Sequence, residues 1–240
     1  MTETPSFPPL MTGLATGPAN PFVVACAEAE KGTDSGLLAW SVSDERLRAA
    51  LVLAPEMPLG RAMAAFCACA VGFQNALGTL APPETALHLD WTGGLRLNGG
   101  HVGGLRVAAS TRDAAAEPDW LTIGLELTLQ LPDALEPGQT PDWTALNHEG
   151  CGEIEPLHLL EAWSRHSLIW INELEDAKGR HSLYREWQGL AWNMGQEISL
   201  PHEGQRLTGT FLGVDENFGL LLKTASGTRL IPLTTLIEDP

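Results

Sequence analysis

A β-hairpin near the middle of the chain is the feature that most constrains the fold. Leucines alternate with polar residues on both sides of Asn98-Gly99, the dipeptide most typical of a two-residue hairpin turn. After a polar loop, a second alternating run over residues 122–129 predicts another strand with one buried face. The sequence therefore predicts a sheet with one apolar face at the centre of the fold.

Helical patterns lie on both sides of this region. A short helix is predicted over residues 22–31, and apolar residues spaced three or four apart predict a longer one over 59–78. Pro156 opens a third helix, and a further helical stretch covers 182–192. This order predicts an α+β domain over residues 22–200, with a mixed or antiparallel sheet flanked by helices.

The two ends of the chain differ from this domain. Residues 1–21 are rich in proline and glycine, which predicts an irregular N-terminal arm. Residues 201–240 contain short strands separated by turns, which predicts a small C-terminal β module. Because so short a β segment cannot bury a core of its own, we expect it to pack against the main domain.

Composition excludes several classes of protein. The formal charge is −16 with only three lysines, which argues against binding to nucleic acid or to an anionic membrane surface. The N-terminus lacks the pattern of a signal peptide, and no stretch approaches about 18 consecutive apolar residues. The four cysteines are too few for a disulfide scaffold, so we expect reduced thiols in a cytoplasmic protein.

Three stretches resemble motifs of the biotin- and lipoate-protein ligase family. Residues 88–95 (HLDWTGGL) and 101–105 (HVGGL) resemble a K-W-P-N-D-L strand end followed by a K-(L/I)-(A/G)-G-(I/L) strand. Residues 124–127 (GLEL) lie where such ligases carry a G-I-N strand. Residues 209–215 and 219–222 resemble the small barrel that ends bacterial biotin ligases. The resemblance implies a class II synthetase-like fold with a C-terminal SH3-like β-barrel.

The resemblance also implies a chemistry. Such ligases use ATP to convert biotin or lipoate to an acyl-adenylate and then transfer the acyl group to a lysine of a biotinyl or lipoyl carrier domain. Biotin, lipoate and ATP are thus the implied ligands, a carrier domain is the implied partner, and a homodimer is compatible with the family.

The positive charges that the family uses for this reaction are missing from the matching positions. In place of a glycine- and arginine-rich loop, residues 41–46 read SVSDER, and His101 replaces the lysine that follows the W-P-N-D turn. Asp90 replaces the lysine before the tryptophan, and Thr92-Gly93-Gly94 replaces P-N-D. Adenylation brings two anions together and requires positive charge, which a mostly neutral histidine supplies poorly.

The backbone elements of the motif persist. Glycines allow a ligand to approach the chain closely, or they simply form a tight turn and a flat strand. His101 is the candidate catalytic residue at this site. The candidate ligand-binding residues are Trp91, Gly93, Gly94, Gly103, Gly104 and Leu105.

A second polar cluster surrounds Cys151. With His148 it could form a nucleophile and base for acyl transfer without ATP, or with His148 and His158 it could bind a metal. The third interpretation is a glycine-bounded loop that caps the helix at Pro156. No metal site is predicted, because this spacing matches no common one.

Together these observations predict a ligase-like protein with degenerate or absent adenylation. It would bind a small acyl ligand or a carrier domain. The alternative is an active biotin, lipoate or octanoate ligase or transferase that uses an unfamiliar ATP site or Cys151, so the sequence leaves enzymatic activity open.

Overall fold

The computed structural model describes residues 4–132, 142–202 and 204–239. Its main feature is a seven-stranded sheet in the order β1-β2-β3-β7-β6-β5-β4. Its strands are β1 (Thr12–Ala15), β2 (Leu37–Val42), β3 (Arg46–Leu53), β4 (Leu87–Leu89), β5 (Gly94–Leu97), β6 (Gly100–Ala109) and β7 (Leu121–Thr128). All neighbours are antiparallel except the parallel pair β1 and β2. The predicted mixed sheet is confirmed.

The predicted hairpin forms between β5 and β6. Asn98 and Gly99 both adopt positive φ values, 50° and 94°, which is the conformation of a type I′ turn. A register shift follows Leu95, so Arg96 pairs with His101 while Gly94 pairs with Gly104.

In the part of the chain that the structure describes, five α-helices flank the sheet. They are α1 (Pro21–Glu30), α2 (Leu59–Ala62), α3 (Ala64–Leu80), α4 (Pro156–Glu173) and α5 (Ala177–Leu190). Side chains of Asn20, Glu155 and Asp176 accept hydrogen bonds from the first turns of α1, α4 and α5, which fixes where these helices begin. The cap at Asp176 explains why α5 begins at residue 177 rather than at the predicted 182.

Strand alternation divides the sheet into two different faces. One face carries leucine and isoleucine side chains and forms the main core with α3 and α4. The opposite face carries small residues beneath α1, including Ala39, Ala50 and Ala108. Polar side chains occupy the same face beyond the first turn of α1, and they form the candidate site.

The C-terminal residues form a four-stranded antiparallel sheet in the order β11-β10-β9-β8. Its strands are β8 (Glu197–His202), β9 (Gln205–Val214), β10 (Leu220–Thr224) and β11 (Gly227–Ile231). The indole N–H of Trp91 donates to the carbonyl oxygen of Phe218 at 2.9 Å, and Phe211 and Leu220 belong to the main core. The sheet therefore packs against the main domain as expected. It begins at Glu197, ahead of the predicted boundary at 201, and its closure into an SH3-like barrel stays a prediction.

The N-terminal arm is more regular than the sequence predicts. Thr12–Ala15 pairs in parallel with β2, although its sequence TGLA has no apolar alternation. Backbone hydrogen bonds stabilise this strand at both ends, from Thr12 N to Gly36 O at 3.0 Å and from Thr16 N to Trp40 O at 2.9 Å. An edge strand made mostly by backbone pairing leaves little trace in side-chain periodicity.

The segment Leu59–Leu80 is more apolar than the sequence analysis recognised. By length and composition it could cross a membrane, with a mean hydropathy of 1.4 over its most apolar window. However, 72 % of that window is buried inside the fold, as in the core helix of a globular domain.

The contact between α3 and α4 depends on Gly72. A Cβ atom at this position would lie 2.7 Å from Ser167 Oγ and 2.8 Å from its Cα. We therefore expect Gly72→Ala to lower the free energy of unfolding by about 1–3 kcal/mol, because the two helices would have to separate.

Gly78 provides the matched control in the same helix. A Cβ there would meet only Gln74 Nε2, at 3.8 Å, so Gly78→Ala is expected to raise stability by up to about 1 kcal/mol through helix propensity. Urea denaturation followed by circular dichroism measures both effects. Equal changes in the two variants would contradict this account of the α3–α4 contact.

Candidate functional site

The polar face of the sheet carries four residues that the strand register aligns across β3, β7, β6 and β5. Arg48 pairs with Glu126, Glu126 with Gly104, and Gly104 with Gly94. We call these four residues the sheet-face row. It contains two of the predicted ligand-binding glycines side by side, beyond the point where α1 covers the sheet.

The two glycines of the row do not leave an open backbone. A Cβ on Gly94 would lie 2.5 Å from Asp90 Oδ2 and 3.1 Å from His101 Nε2, so these side chains already cover it. A Cβ on Gly104 would lie 3.1 Å from the carbonyl oxygen of Gly93. The row is thus packed by the protein's own polar groups.

Gly93 and Gly103 are explained by backbone geometry. Gly93 has φ +99° and approaches the carbonyl oxygen of Leu105, which a Cβ would meet at 2.6 Å. A Cβ on Gly103 would lie 2.1 Å from the carbonyl oxygen of Glu126 in the neighbouring strand. Both positions require glycine for chain packing whether or not a ligand binds.

Trp91 and Leu105 lie on the buried side of this motif. Trp91 is only 4 % exposed and its N–H is used by Phe218 of the C-terminal sheet, while Leu105 is 5 % exposed in the main core. These contacts make them packing residues, and a ligand-binding role for either stays a prediction.

Arginines on the polar face are the feature that the sequence analysis missed. Arg46 and Arg48 both bind the carboxylate of Glu126, and Arg106 binds Glu238 near the C-terminus. The pattern that could have identified them is the alternation of Arg46 and Arg48 with Leu47 and Ala49, which predicts that both arginines face away from the core. The segment after β2 is a tight turn, and positive charge returns on the strand that follows it.

Glu126 is stabilised as a carboxylate by these arginines. Burial alone raises its pKa, but hydrogen bonds from Arg46 and Arg48 and their charges outweigh that effect, so the pKa lies below its ordinary value. Glu126 therefore offsets one of the two arginine charges at this point of the face.

Phe22 fills the part of the polar face beneath the start of α1. A Cβ on Gly124 would lie 2.6 Å from Phe22 Cδ2, and Arg106 Cζ lies 4.6 Å from the centroid of the Phe22 ring. The cavity that remains beside Arg48 and Glu126 measures about 10 Å³, too small for an organic ligand.

His101 lies at the start of β6 among aromatic and charged neighbours. Its ring centroid is 4.5 Å from that of Trp143, and its Nδ1 is buried without a hydrogen-bond partner among the described residues. Burial lowers its pKa, Asp90 opposes this and Arg96 adds to it, so the pKa lies below 6.5. The lowered pKa favours the neutral form of the imidazole.

Asp90 and Arg96 form a closed pair next to His101. Arg96 Nε lies 3.1 Å from both carboxylate oxygens of Asp90, and Nη1 donates to Gly99 O at 3.2 Å. The guanidinium also lies 5.5 Å from the ring centroid of Trp192, as in a cation–π contact.

A cleft of about 400 Å³ opens beside this pair, between the turn at Trp91 and the C-terminal sheet. Its polar residues include Asp90 and Arg96. Its apolar lining residues include Trp192, Ile198, Leu200 and Phe211. It is the ligand-sized space next to the motif, and its size is within the range of small-molecule sites.

Cys151 lies outside the cleft beside Arg96, and its side chain is shielded from solvent. It is 2 % exposed, with Sγ 3.7 Å from Glu149 O and 3.9 Å from Thr85 Oγ1. Burial raises the pKa of the thiol, Thr85 lowers it and Glu149 raises it, with a net increase. A thiol with a raised pKa is a weak nucleophile.

The partners proposed for Cys151 are not assembled around it. His148 is exposed, and no hydrogen bond joins it to Cys151 among the described residues. No group of three His, Cys, Asp or Glu side chains could hold a metal in the part of the chain that the structure describes. The described structure thus does not group His148, Cys151 and His158 as ligands, and a catalytic role for Cys151 stays a prediction.

Two protein-family models together match most of the sequence. The family model described as "Biotin/lipoate A/B protein ligase family" matches residues 7–189, and that of a domain of unknown function (DUF4444) matches 202–239. A biotin–[acetyl-CoA-carboxylase] ligase of Paracoccus denitrificans is 28 % identical over 196 residues, 80 % of each chain.

Two solved structures extend this result. A biotin protein ligase-like protein of unknown function from Silicibacter sp. TM1040 is 52 % identical, with a TM-score of 0.90 over 98 % of this chain and 100 % of its own. The biotin protein ligase of Aquifex aeolicus shares the fold, with a TM-score of 0.70 and 16 % identity over 92 % of this chain and 94 % of its own.

The lowered pKa of His101 predicts a pH dependence of stability. Because its pKa is lower in the folded than in the unfolded chain, the unfolded chain binds more protons between the two values, and stability falls as the pH drops through about 6.5. His101→Gln should make this fall shallower, as measured by urea denaturation from pH 7 to pH 5.

Some of the slope is expected to remain in that variant, because burial also lowers the pKa of His166. Titration of the His101 ring by NMR checks the premise directly. A pKa above 6.5 in the folded protein would contradict it.

Proposed function

Because the chain belongs to the biotin/lipoate A/B protein ligase family, we propose that it binds a small acyl ligand, free or on a biotinyl or lipoyl carrier domain, without activating it with ATP. One observation carries the proposal: Arg46 and Arg48 both bind the carboxylate of Glu126 in the sheet-face row, and Phe22 fills the adjoining space.

Adenylation makes a demand that this arrangement does not meet. A carboxylate must attack the α-phosphorus of ATP while pyrophosphate leaves, so several negative charges meet at one point and require unpaired cations and N–H donors. Arg46 and Arg48 already share the carboxylate of Glu126, and burial lowers the pKa of His101, which favours its neutral form. These residues do not fit the phosphates of ATP.

The cleft beside Asp90 and Arg96 supports the binding half of the proposal. Arg96 uses Nε and Nη1 in hydrogen bonds, whereas its Nη2 donates to no group among the described residues. A free guanidinium nitrogen suits a carboxylate, or the carbonyl oxygen of an acyl group attached to a carrier lysine. Trp192 offers apolar contact to the acyl chain, and Leu200 and Phe211 line the same cleft as buried residues.

Acyl-ligand binding tests this assignment. We expect biotin, lipoate or octanoate to quench the tryptophan fluorescence saturably, since Trp192 lines the cleft. Arg96→Gln should weaken binding by about tenfold, because one charge-assisted hydrogen bond is lost. Arg229→Gln is the matched control, since Arg229 is exposed on β11 and does not line the cleft. Equal affinity in wild type and Arg96→Gln would contradict the assignment.

The absence of activation is tested on the same protein. ATP is expected to leave the affinity for the acyl ligand unchanged. Incubation with an activated octanoyl donor is expected to leave the mass of Cys151 unchanged, because the thiol is buried and its pKa is raised. An acyl-thioester mass shift in wild type that disappears in Cys151→Ser would overturn the proposal in favour of a transferase.

A further inference from the structure

The cavity with the largest volume among those described lies away from the sheet-face row and from the cleft beside Asp90 and Arg96. It measures about 590 Å³ and lies between α5, Arg61 of α2 and the turn 215–217 of the C-terminal sheet. It shares no lining residue with the cleft beside Arg96. Its volume suits a small molecule.

Two arginines face this cavity without a counter-ion. Arg61 and Arg180 make no salt bridge and no side-chain hydrogen bond among the described residues, and Nη1 of Arg180 is buried without a partner. By contrast, Arg46, Arg48 and Arg106 each bind a carboxylate. An unpartnered buried guanidinium nitrogen is costly unless a bound anion satisfies it.

The two arginines also repel each other. Burial lowers the pKa of Arg180, the charge of Arg61 lowers it further, and Glu216 opposes them. A bound anion would remove both penalties together, because each guanidinium presents a planar fork of donors to oxygen atoms.

The carboxylates of the cavity do not provide that anion. Asp215 Oδ1 accepts hydrogen bonds from the backbone N–H groups of Asn217 at 3.0 Å and Gly219 at 2.7 Å, so it stabilises the turn. Glu216 is exposed and forms no salt bridge with either arginine among the described residues. Glu216 therefore acts on Arg180 only through space.

From this geometry we propose that the cavity binds the phosphate group of a small phosphomonoester through Arg61 and Arg180. The two charges of a phosphomonoester match the two guanidinium groups, whereas a carboxylate would neutralise only one. His181 lines the same cavity and can donate a further hydrogen bond, and the rest of the ligand occupies the space towards Tyr184.

Titration calorimetry with phenyl phosphate tests the proposal on the full chain. We expect saturable binding that Arg180→Gln and Arg61→Gln each weaken by about tenfold or more, the factor expected for loss of a charge-assisted contact. Glu216→Gln should tighten binding, because it removes the opposing carboxylate. Arg185→Gln is the matched control, since Arg185 is an exposed arginine of α5 that does not line the cavity.

Thermal unfolding separates binding from structure. Without phosphate, Arg180→Gln is expected to be at least as stable as wild type, since it removes a like-charge contact, and phenyl phosphate should no longer stabilise it. The proposal is overturned if phenyl phosphate does not bind saturably, if benzoate binds as tightly, or if Arg185→Gln weakens binding as much as Arg180→Gln. Phenyl phosphate carries no acyl group, and only binding that Arg61→Gln or Arg180→Gln weakens is assigned to this cavity, so the result is distinguishable from binding at the cleft beside Arg96.

Discussion

The alternation of side chains along β3, β7 and β6 determines which parts of this protein form the core and which remain for chemistry. The register of these strands places Leu47 opposite Leu127 on the apolar face and Arg48 opposite Glu126 on the polar face. A shift of one residue in any of them would exchange the two faces. The core beneath α3 and α4 and the candidate site are therefore fixed by the same pairing.

Electrostatics then limits what the polar face can do. The chain carries a net charge of −16, and on this face Arg46, Arg48, Arg96 and Arg106 are each bound to a carboxylate. Such pairs stabilise the local structure and lower the positive potential that an anionic transition state needs. Arg61 and Arg180 differ from these four arginines, because they face a cavity and form no salt bridge among the described residues.

Much of the fold could be predicted from the sequence because its strands follow the expected period. The Asn98-Gly99 turn, the strand at 121–128 and the helix at Pro156 all rest on strong local signals. Strand β1 could not be found, since backbone pairing with β2 forms it. The site was harder to predict. Gly94 and Gly104 indicate that some group lies close to the backbone, but they do not show whether it is a ligand or another part of the protein. Here Asp90, His101 and the backbone of Gly93 occupy those positions, and Phe22, which covers Gly124, comes from a distant part of the chain.

The claim that this family member binds without adenylating is tested most directly by pyrophosphate exchange. Purified protein is incubated with ATP, labelled pyrophosphate and biotin, lipoate or octanoate, beside an active biotin ligase as a positive control. The closed Arg–Glu pairs, the neutral His101 and the Phe22-filled face predict no label in ATP above the rate without acyl ligand. Label that enters ATP only when an acyl ligand is present would contradict the account.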